Sequence, residues 1–247
     1  GYMKTDYIYG IRAVIEAISS EKEINKILIQ QGIQGDLFSE LKNLLKEKDI
    51  PVQNVPFQKL NKLSKNGNHQ GVIAIVSPIE YGNLEEIVEK KIQEEQDLLL
   101  LILDRLTDVR NLGSIARSAE CLGVDAIIIP KYAAAQVTAD AVKTSAGALN
   151  KITVCREDNL RDTLLLLQQF GVIVAACSEK ATNGIDKVNL KVPLAIVMGS
   201  EENGVSKEIY KRCDTHFQIP MSGQLESMNV SVSCGIALYE VNRQRNA

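Results

Sequence analysis

The chain has 247 residues, 45% of them apolar and 24% charged, with a formal net charge of −3 and a pI of about 5.6. That is enough apolar material for one large or two ordinary cores, and the slightly acidic balance excludes recognition of nucleic acid by bulk positive charge, so any such contact must come from local patches. The longest apolar run, Leu98 to Leu103, is far shorter than the ~20 residues that cross a bilayer, no charged-then-apolar signal segment opens the chain, and the expectation is a cytoplasmic protein with no membrane partner.

From Tyr7 to about Pro78, helical and strand patterns alternate. Ile11, Val14, Ile15 and Ile18 of GIRAVIEAIS share one helical face, INKILIQ reads as a strand, LFSELKNLLKEKD as a second amphipathic helix, and GVIAIVS as a fully apolar strand. The expectation is a small α/β domain over residues 3–78, within the usual size of a domain. The charged stretch PIEYGNLEEIVEKKIQEEQD reads as a linker over residues 79–97 leading into a solvated helix.

Residues 98–247 follow a more regular pattern. LLLLILD is a strand, a helix runs from Asn111 to Leu122 and stops at Gly123, VDAIIIP is a strand, and TADAVKTSAGAL is helical. Then come strand KITVC, helix NLRDTLLLLQQF stopped by Gly171, strands VIVAACS and PLAIVMG, and a terminal helix after Pro220. Strands apolar on both faces and separated by helices predict a parallel sheet covered on both sides. Ligands in such sheets bind beyond the carboxyl ends of strands, which directs attention to the loops after Leu103, Val197 and Ile219.

Those loops are rich in polar side chains. In DRLTDVRNLGSIARSAE, Asn111 opens a helix and reads equally as its N-cap, while Arg117 lies six residues on, among small side chains. In AIVMGSEENGVS, Gly199 and Gly204 bracket Glu201; a carboxylate there would repel a pyrophosphate, which excludes dinucleotide binding. In QIPMSGQLESMNVSVSCGIALYE, Gly223 permits a turn, Ser227 and Asn229 sit near a helix start, and Ser231, Ser233, Cys234, Gly235 and Ala237 make that helix small-sided, as for a helix pressed against the sheet or another subunit.

Five cysteines without CxxC spacing read as reduced and largely buried. His69 and His216 are the only histidines, so a His-based triad and a His-rich metal site are not expected. No Walker lysine loop is present either.

The three polar loops resemble, in order and spacing, the three motifs of the SpoU-type RNA ribose 2'-O-methyltransferases of the trefoil-knot superfamily. YGIRAVIEAI and NHQGVIAIV resemble the L30e-like substrate-binding domain that precedes the catalytic domain in the 23S rRNA guanosine 2'-O-methyltransferases. The resemblance implies an α/β fold with a carboxy-terminal trefoil knot, S-adenosylmethionine as methyl donor, no metal, RNA as partner with rRNA the expected class, and a homodimer with its sites at the subunit interface. Carried over by position, Asn111, Arg117, Glu201, Ser227 and Asn229 match the reacting site, and Gly199, Ile219 and Met228 the methyl-donor pocket, with Ser145 and Gly147 of KTSAGAL near it. Arg110, in a TDVRN that replaces the commoner Asp-Pro-His-Asn, is expected on RNA phosphate, and Lys4, Arg12, Lys65 and His69 are candidate RNA contacts. Within the same resemblance Arg117 clamps the phosphate beside the reacting ribose, because a free guanidinium is too weak an acid to serve as a base. A tRNA ribose methyltransferase, a resistance-type enzyme acting on an adenosine, and a non-catalytic assembly factor are the competing readings.

Overall fold

The computed structural model describes residues 6–247, so Lys4 and the expected start of the first domain at residue 3 lie outside the described residues. Two compact units are present, one ending at Glu80 and including Val137–Ala139, the other formed by Tyr81–Gln136 and Asp140–Ala247.

The first unit is a four-stranded sheet ordered β1-β4-β2-β3, made of β1 (Asp6–Tyr9), β2 (Ile24–Gln30), β3 (Val52–Val55) and β4 (Val72–Val76). β4 pairs antiparallel with β1 and β2, and β2 pairs parallel with β3. Side chains alternate across the pleat. Ile27, Ile29, Val72 and Ala74 therefore meet the apolar faces of α1 (Ile11–Ser19) and α2 (Asp36–Lys48), while Leu28 and Ile73 meet Leu60 of α3 (Phe57–Ser64) on the other side. Cover on both faces explains why β4 and the Ile27–Ile29 stretch of β2 are apolar without interruption. β1, β3 and α3 escape the sequence pattern: VQNV is an edge strand with only Val55 buried, so nothing selects an apolar alternation.

The second unit is a six-stranded, all-parallel sheet ordered β10-β8-β9-β5-β6-β7. Its strands are β5 (Leu99–Leu103), β6 (Ala126–Pro130), β7 (Thr153–Glu157), β8 (Ile173–Cys177), β9 (Leu194–Met198) and β10 (Thr215–Phe217). Leu98, Leu100, Ile102, Ala126 and Ile128 pack with α4 (Leu84–Gln93), α7 (Leu160–Gln169) and α8 (Lys207–Arg212). On the second layer α5 (Val109–Cys121) packs against α9 (Val230–Arg245). α6 (Ala139–Thr144) lies beside α5 so closely that a Cβ at Gly113 would come within 2.8 Å of the Ala141 carbonyl oxygen.

The stretch expected as a linker and solvated helix is corrected here. Asn83 caps α4 through its side chain, and Leu84 and Val88 are fully inside the sheet's core, with Ile87 and Ile92 against it; the acidic and basic residues occupy only the outer face, as in any amphipathic surface helix. The end of α9 is fastened by Arg245, which donates to the carbonyls of Leu98 (2.9 Å), Val192 (2.8 Å) and Leu190 (3.2 Å).

The cysteines are free thiols: Cys155, Cys213 and Cys234 are buried, Cys177 is half-buried, and Cys121 is exposed at the end of α5. Burial pushes the thiols of Cys155, Cys177, Cys213 and Cys234 up to about 12, so they carry almost no thiolate at neutral pH. A thiol reagent at about pH 8 is expected to modify Cys121 rapidly and the other four only after denaturant is added. Rapid reaction of a second thiol in the folded protein would contradict this packing.

Candidate functional site

β8, β9 and β5 are neighbours in the sheet, so the loops leaving their carboxyl ends converge at the edge where parallel α/β sheets take ligands. Asp104, buried at the end of β5, holds two of those loops together: its backbone N-H donates to the Met198 carbonyl at 2.8 Å, and its Oδ2 accepts from the Ser206 N-H at 2.7 Å. Arg105 donates to the Gly204 carbonyl at 3.1 Å. Ser200 and Gly204 exchange backbone hydrogen bonds of 3.0 and 3.2 Å, which closes a tight turn and pushes Glu201 outward. Gly199 lies under that turn, where a Cβ would overlap the backbone of Gly204 and Val205.

The helix cap is not where the sequence suggested. Asp108 caps α5, accepting from the Arg110 and Asn111 N-H groups at 2.8 and 3.1 Å, which leaves the Asn111 side chain free. Its Nδ2 donates to Glu201 Oε1 at 2.9 Å, and its Oδ1 accepts from Asn229 Nδ2 at 3.2 Å. Asn229 is also the N-cap of α9, its Oδ1 accepting from the Ser231 N-H at 2.9 Å. Three residues from three loops thus form one chain of hydrogen bonds, and capping of α9 fixes which way the Asn229 amide faces.

Beside this chain of bonds is a cleft of about 330 Å³ lined by Gly199, Glu201, Ile219, Ser227 and Met228. Arg117 is not among its walls. The guanidinium is exposed on α5 and makes no hydrogen bond or ion pair with Asn111, Glu201 or any other described residue.

Other expected residues fall elsewhere. Ser145 is fully buried, donating to the Val142 carbonyl at 2.7 Å and accepting from the Leu149 N-H at 3.1 Å, so its hydroxyl is consumed in closing the turn after α6. Gly147, with φ of 85°, supplies the left-handed residue that turn requires and does not line the cleft. His69 is a loop organiser and not an exposed contact: it is buried, Nδ1 accepts from the Gly71 N-H at 2.9 Å, and Nε2, which then carries the proton, donates to Asn61 Oδ1 at 2.8 Å. Arg12, Lys65 and Arg110 are exposed, Arg12 within 3.7 Å of Glu40.

Sequence reasoning missed Cys177 at the end of β8, Ser178, Glu179 and Lys180 after it, and Tyr210 and Ser233, all of which line the cleft. The strand-end rule that singled out three loops applied equally to the loop after β8. Ser233 escaped because a serine one turn into a helix reads first as a packing residue. The Cys177 thiol, raised to about 12 by burial and the nearby Glu179 carboxylate, is no nucleophile at neutral pH. Among the described residues no group of three His, Cys, Asp or Glu side chains is placed to hold a metal ion, and no helix is long and apolar enough to cross a membrane.

Comparison with known proteins bears on the same regions. Residues 98–239 match the model of the SpoU rRNA Methylase family, and residues 7–82 match that of RNA 2'-O ribose methyltransferase substrate binding. A relative from Staphylococcus aureus (strain COL), whose name places it in the TrmH family of tRNA/rRNA methyltransferases, is 41% identical over 99% of this chain and 98% of its own length. Among solved structures, the SpoU methyltransferase AviRb from Streptomyces viridochromogenes superposes with a TM-score of 0.62 at 22% identity, over 98% of this chain and 90% of that one. Its complex with the cofactor AdoMet gives 0.60 at 23% identity, over 97% and 90%.

Proposed function

The chain belongs to the SpoU rRNA methylase family, and from that membership we propose that it transfers a methyl group from S-adenosylmethionine to a ribose 2'-hydroxyl of RNA, a guanosine of 23S rRNA being the expected target. The observation that carries this reading is the hydrogen-bonded set Glu201–Asn111–Asn229, drawn from positions 90 and 118 residues apart, directly beside a cleft at the carboxyl edge of a parallel sheet.

The cleft suits the donor in size and chemistry. Its volume, about 330 Å³, lies in the range of small-ligand sites, and Met198, Ile219 and Met228 offer apolar walls while the Gly199 turn brings backbone groups to its floor. When bound, S-adenosylmethionine supplies an electrophilic methyl on a sulfonium sulfur. The protein's own task is then orientation and proton removal. Asn111 and Asn229 are held so that they can position the ribose, Ser227 sits on the cleft wall, and Arg117, unpaired and in solvent, is available to clamp a phosphate with its planar fork. The Glu201 carboxylate accepts from Asn111, so its part is to orient that amide.

A homodimer is supported by the first half of α9, which carries apolar side chains on two sides. Cys234, Ala237, Leu238 and Val241 are buried in the unit, while Val232, Ile236 and Tyr239 are 51%, 38% and 63% exposed on the opposite side. An exposed apolar stripe on a helix whose other side already packs in the core supports a second copy as its cover. A cytoplasmic location accords with the free thiols.

The test is incubation with tritiated S-adenosylmethionine and, separately, total tRNA and unmodified 23S rRNA, followed by mapping of alkali-resistant linkages. Label at one 23S guanosine is the expected result. Label in tRNA would replace the substrate, and no label in either with the donor bound would favour a non-catalytic role.

A further inference from the structure

The chain as a whole is acidic, but its charge is unevenly placed. Between Asp49 and Glu80 there is no carboxylate, while Lys59, Lys62 and Lys65 fall in that interval, all three exposed on α3 and the loop that follows it. The loop itself, residues 66–71, is built rigidly. Lys65, Asn66, Gln70 and Gly71 all have positive φ; buried His69 ties Gly71 to Asn61 through its two ring nitrogens; and Gln70 Oε1 accepts from the Ile11 N-H at 2.9 Å.

Two aromatic rings flank this loop, in a chain with only 4% aromatic residues. The Tyr9 ring lies against Gly67, where a Cβ would come within 2.7 Å of the phenol oxygen, and the residue is still 41% exposed. Phe57 stands edge-on to the His69 ring with centroids 5.2 Å apart and is 47% exposed. On the same loop, the exposed side-chain amides of Asn66 and Asn68 have no partner among the described residues. Exposed ring faces are costly in water unless covered, and a rigid loop presenting open amides, with two rings and lysines alongside, offers the three contacts that an unpaired nucleotide uses: stacking, hydrogen bonding to a base edge, and phosphate neutralisation.

We propose that the Tyr9–Phe57 face of the first unit holds a single-stranded, unstacked stretch of RNA, its bases against the two rings, its edges against Asn66 and Asn68, and its phosphates toward Lys62 and Lys65. The proposal rests on the reading of the chain as an RNA methyltransferase. It assigns to aromatic and amide groups the contact that the sequence had assigned to His69, whose own part is to hold the loop.

The test uses the full-length protein and a fluorescein-labelled RNA of mixed sequence, about 12 nucleotides long, as a single strand and as a duplex. Tyr9→Ala and Phe57→Ala should each weaken single-strand binding about tenfold, Tyr9→Phe and Phe57→Tyr should bind like the wild type, and the duplex should compete poorly. Unchanged affinity in both alanine variants, or equal competition by the duplex, overturns the proposal. Methyl transfer is measured in parallel on the RNA that accepts label. A raised KM with unchanged kcat in the alanine variants supports the platform, whereas unchanged KM together with unchanged binding removes it and leaves the methyltransferase reading standing. Absence of transfer by the wild type, with single-strand binding lost in the alanine variants, removes that reading and leaves the platform.

Discussion

Gly199→Ala is expected to destabilise the second unit by about 3 kcal/mol or more, at the upper end of overpacking penalties, and to abolish donor binding. The cause is spatial and not conformational: Gly199 is absent from the positive-φ residues, but its missing side chain is occupied by the backbone of Gly204 and Val205. Backbone cannot rotate out of the way as a side chain tip can, so the turn carrying Glu201 must move, and with it the cleft wall. Gly204→Ala is the informative comparison. Gly204 has φ of 66° and open space where a Cβ would stand, so that variant should lose only about 1–2 kcal/mol, the cost of left-handed backbone, and still bind donor. Chemical denaturation and calorimetric titration with S-adenosylmethionine measure both. Equal stability of the two variants would show that the close crossing at Gly199 is not present in solution.

The second large effect is on catalysis. Arg117→Ala should lower methyl transfer by roughly a hundred- to thousandfold, the scale of losing a charge-stabilising group from a reacting site, with donor affinity nearly unchanged. Donor affinity should hold because Arg117 neither lines the cleft nor bonds to any residue that does. Since its guanidinium has no partner among the described residues, the substitution breaks no internal contact, and the melting temperature should stay close to that of the wild type. Arg117→Lys keeps the charge without the bidentate fork and should fall between the two. Turnover within about tenfold of wild type in the alanine variant would remove Arg117 from the reacting site.

The outcome at particular residues shows where sequence reasoning reached and where it stopped. Asn111, Glu201 and Asn229 were picked out by residue type and position after strands, and they meet within hydrogen-bond distance. The same logic misplaced the α5 cap by three residues, because Asp108 and Asn111 are both good caps and only the backbone angles decide between them. Ser145 was carried over by the resemblance and His69 was a candidate RNA contact, yet both are buried with their polar atoms bonded within the protein. A polar residue that serves a turn and one that serves a substrate look alike in a sequence. The short elements β3 and α8 were lost because edge strands and six-residue helices bury too few side chains to leave a period.

By itself the sequence determined the α/β character, the parallel sheet and the three polar loops, since apolar runs on central strands and caps on helices are local consequences of burial and backbone bonding. Only the tertiary structure decided that the loops after β5, β8 and β9 share one edge, that Gly199 is packed against backbone, and that Arg117 is left free. The strand order β10-β8-β9-β5-β6-β7 rests on pairings between segments far apart in the chain. Long-range pairing depends on the whole set of packed faces at once, and no local pattern encodes it.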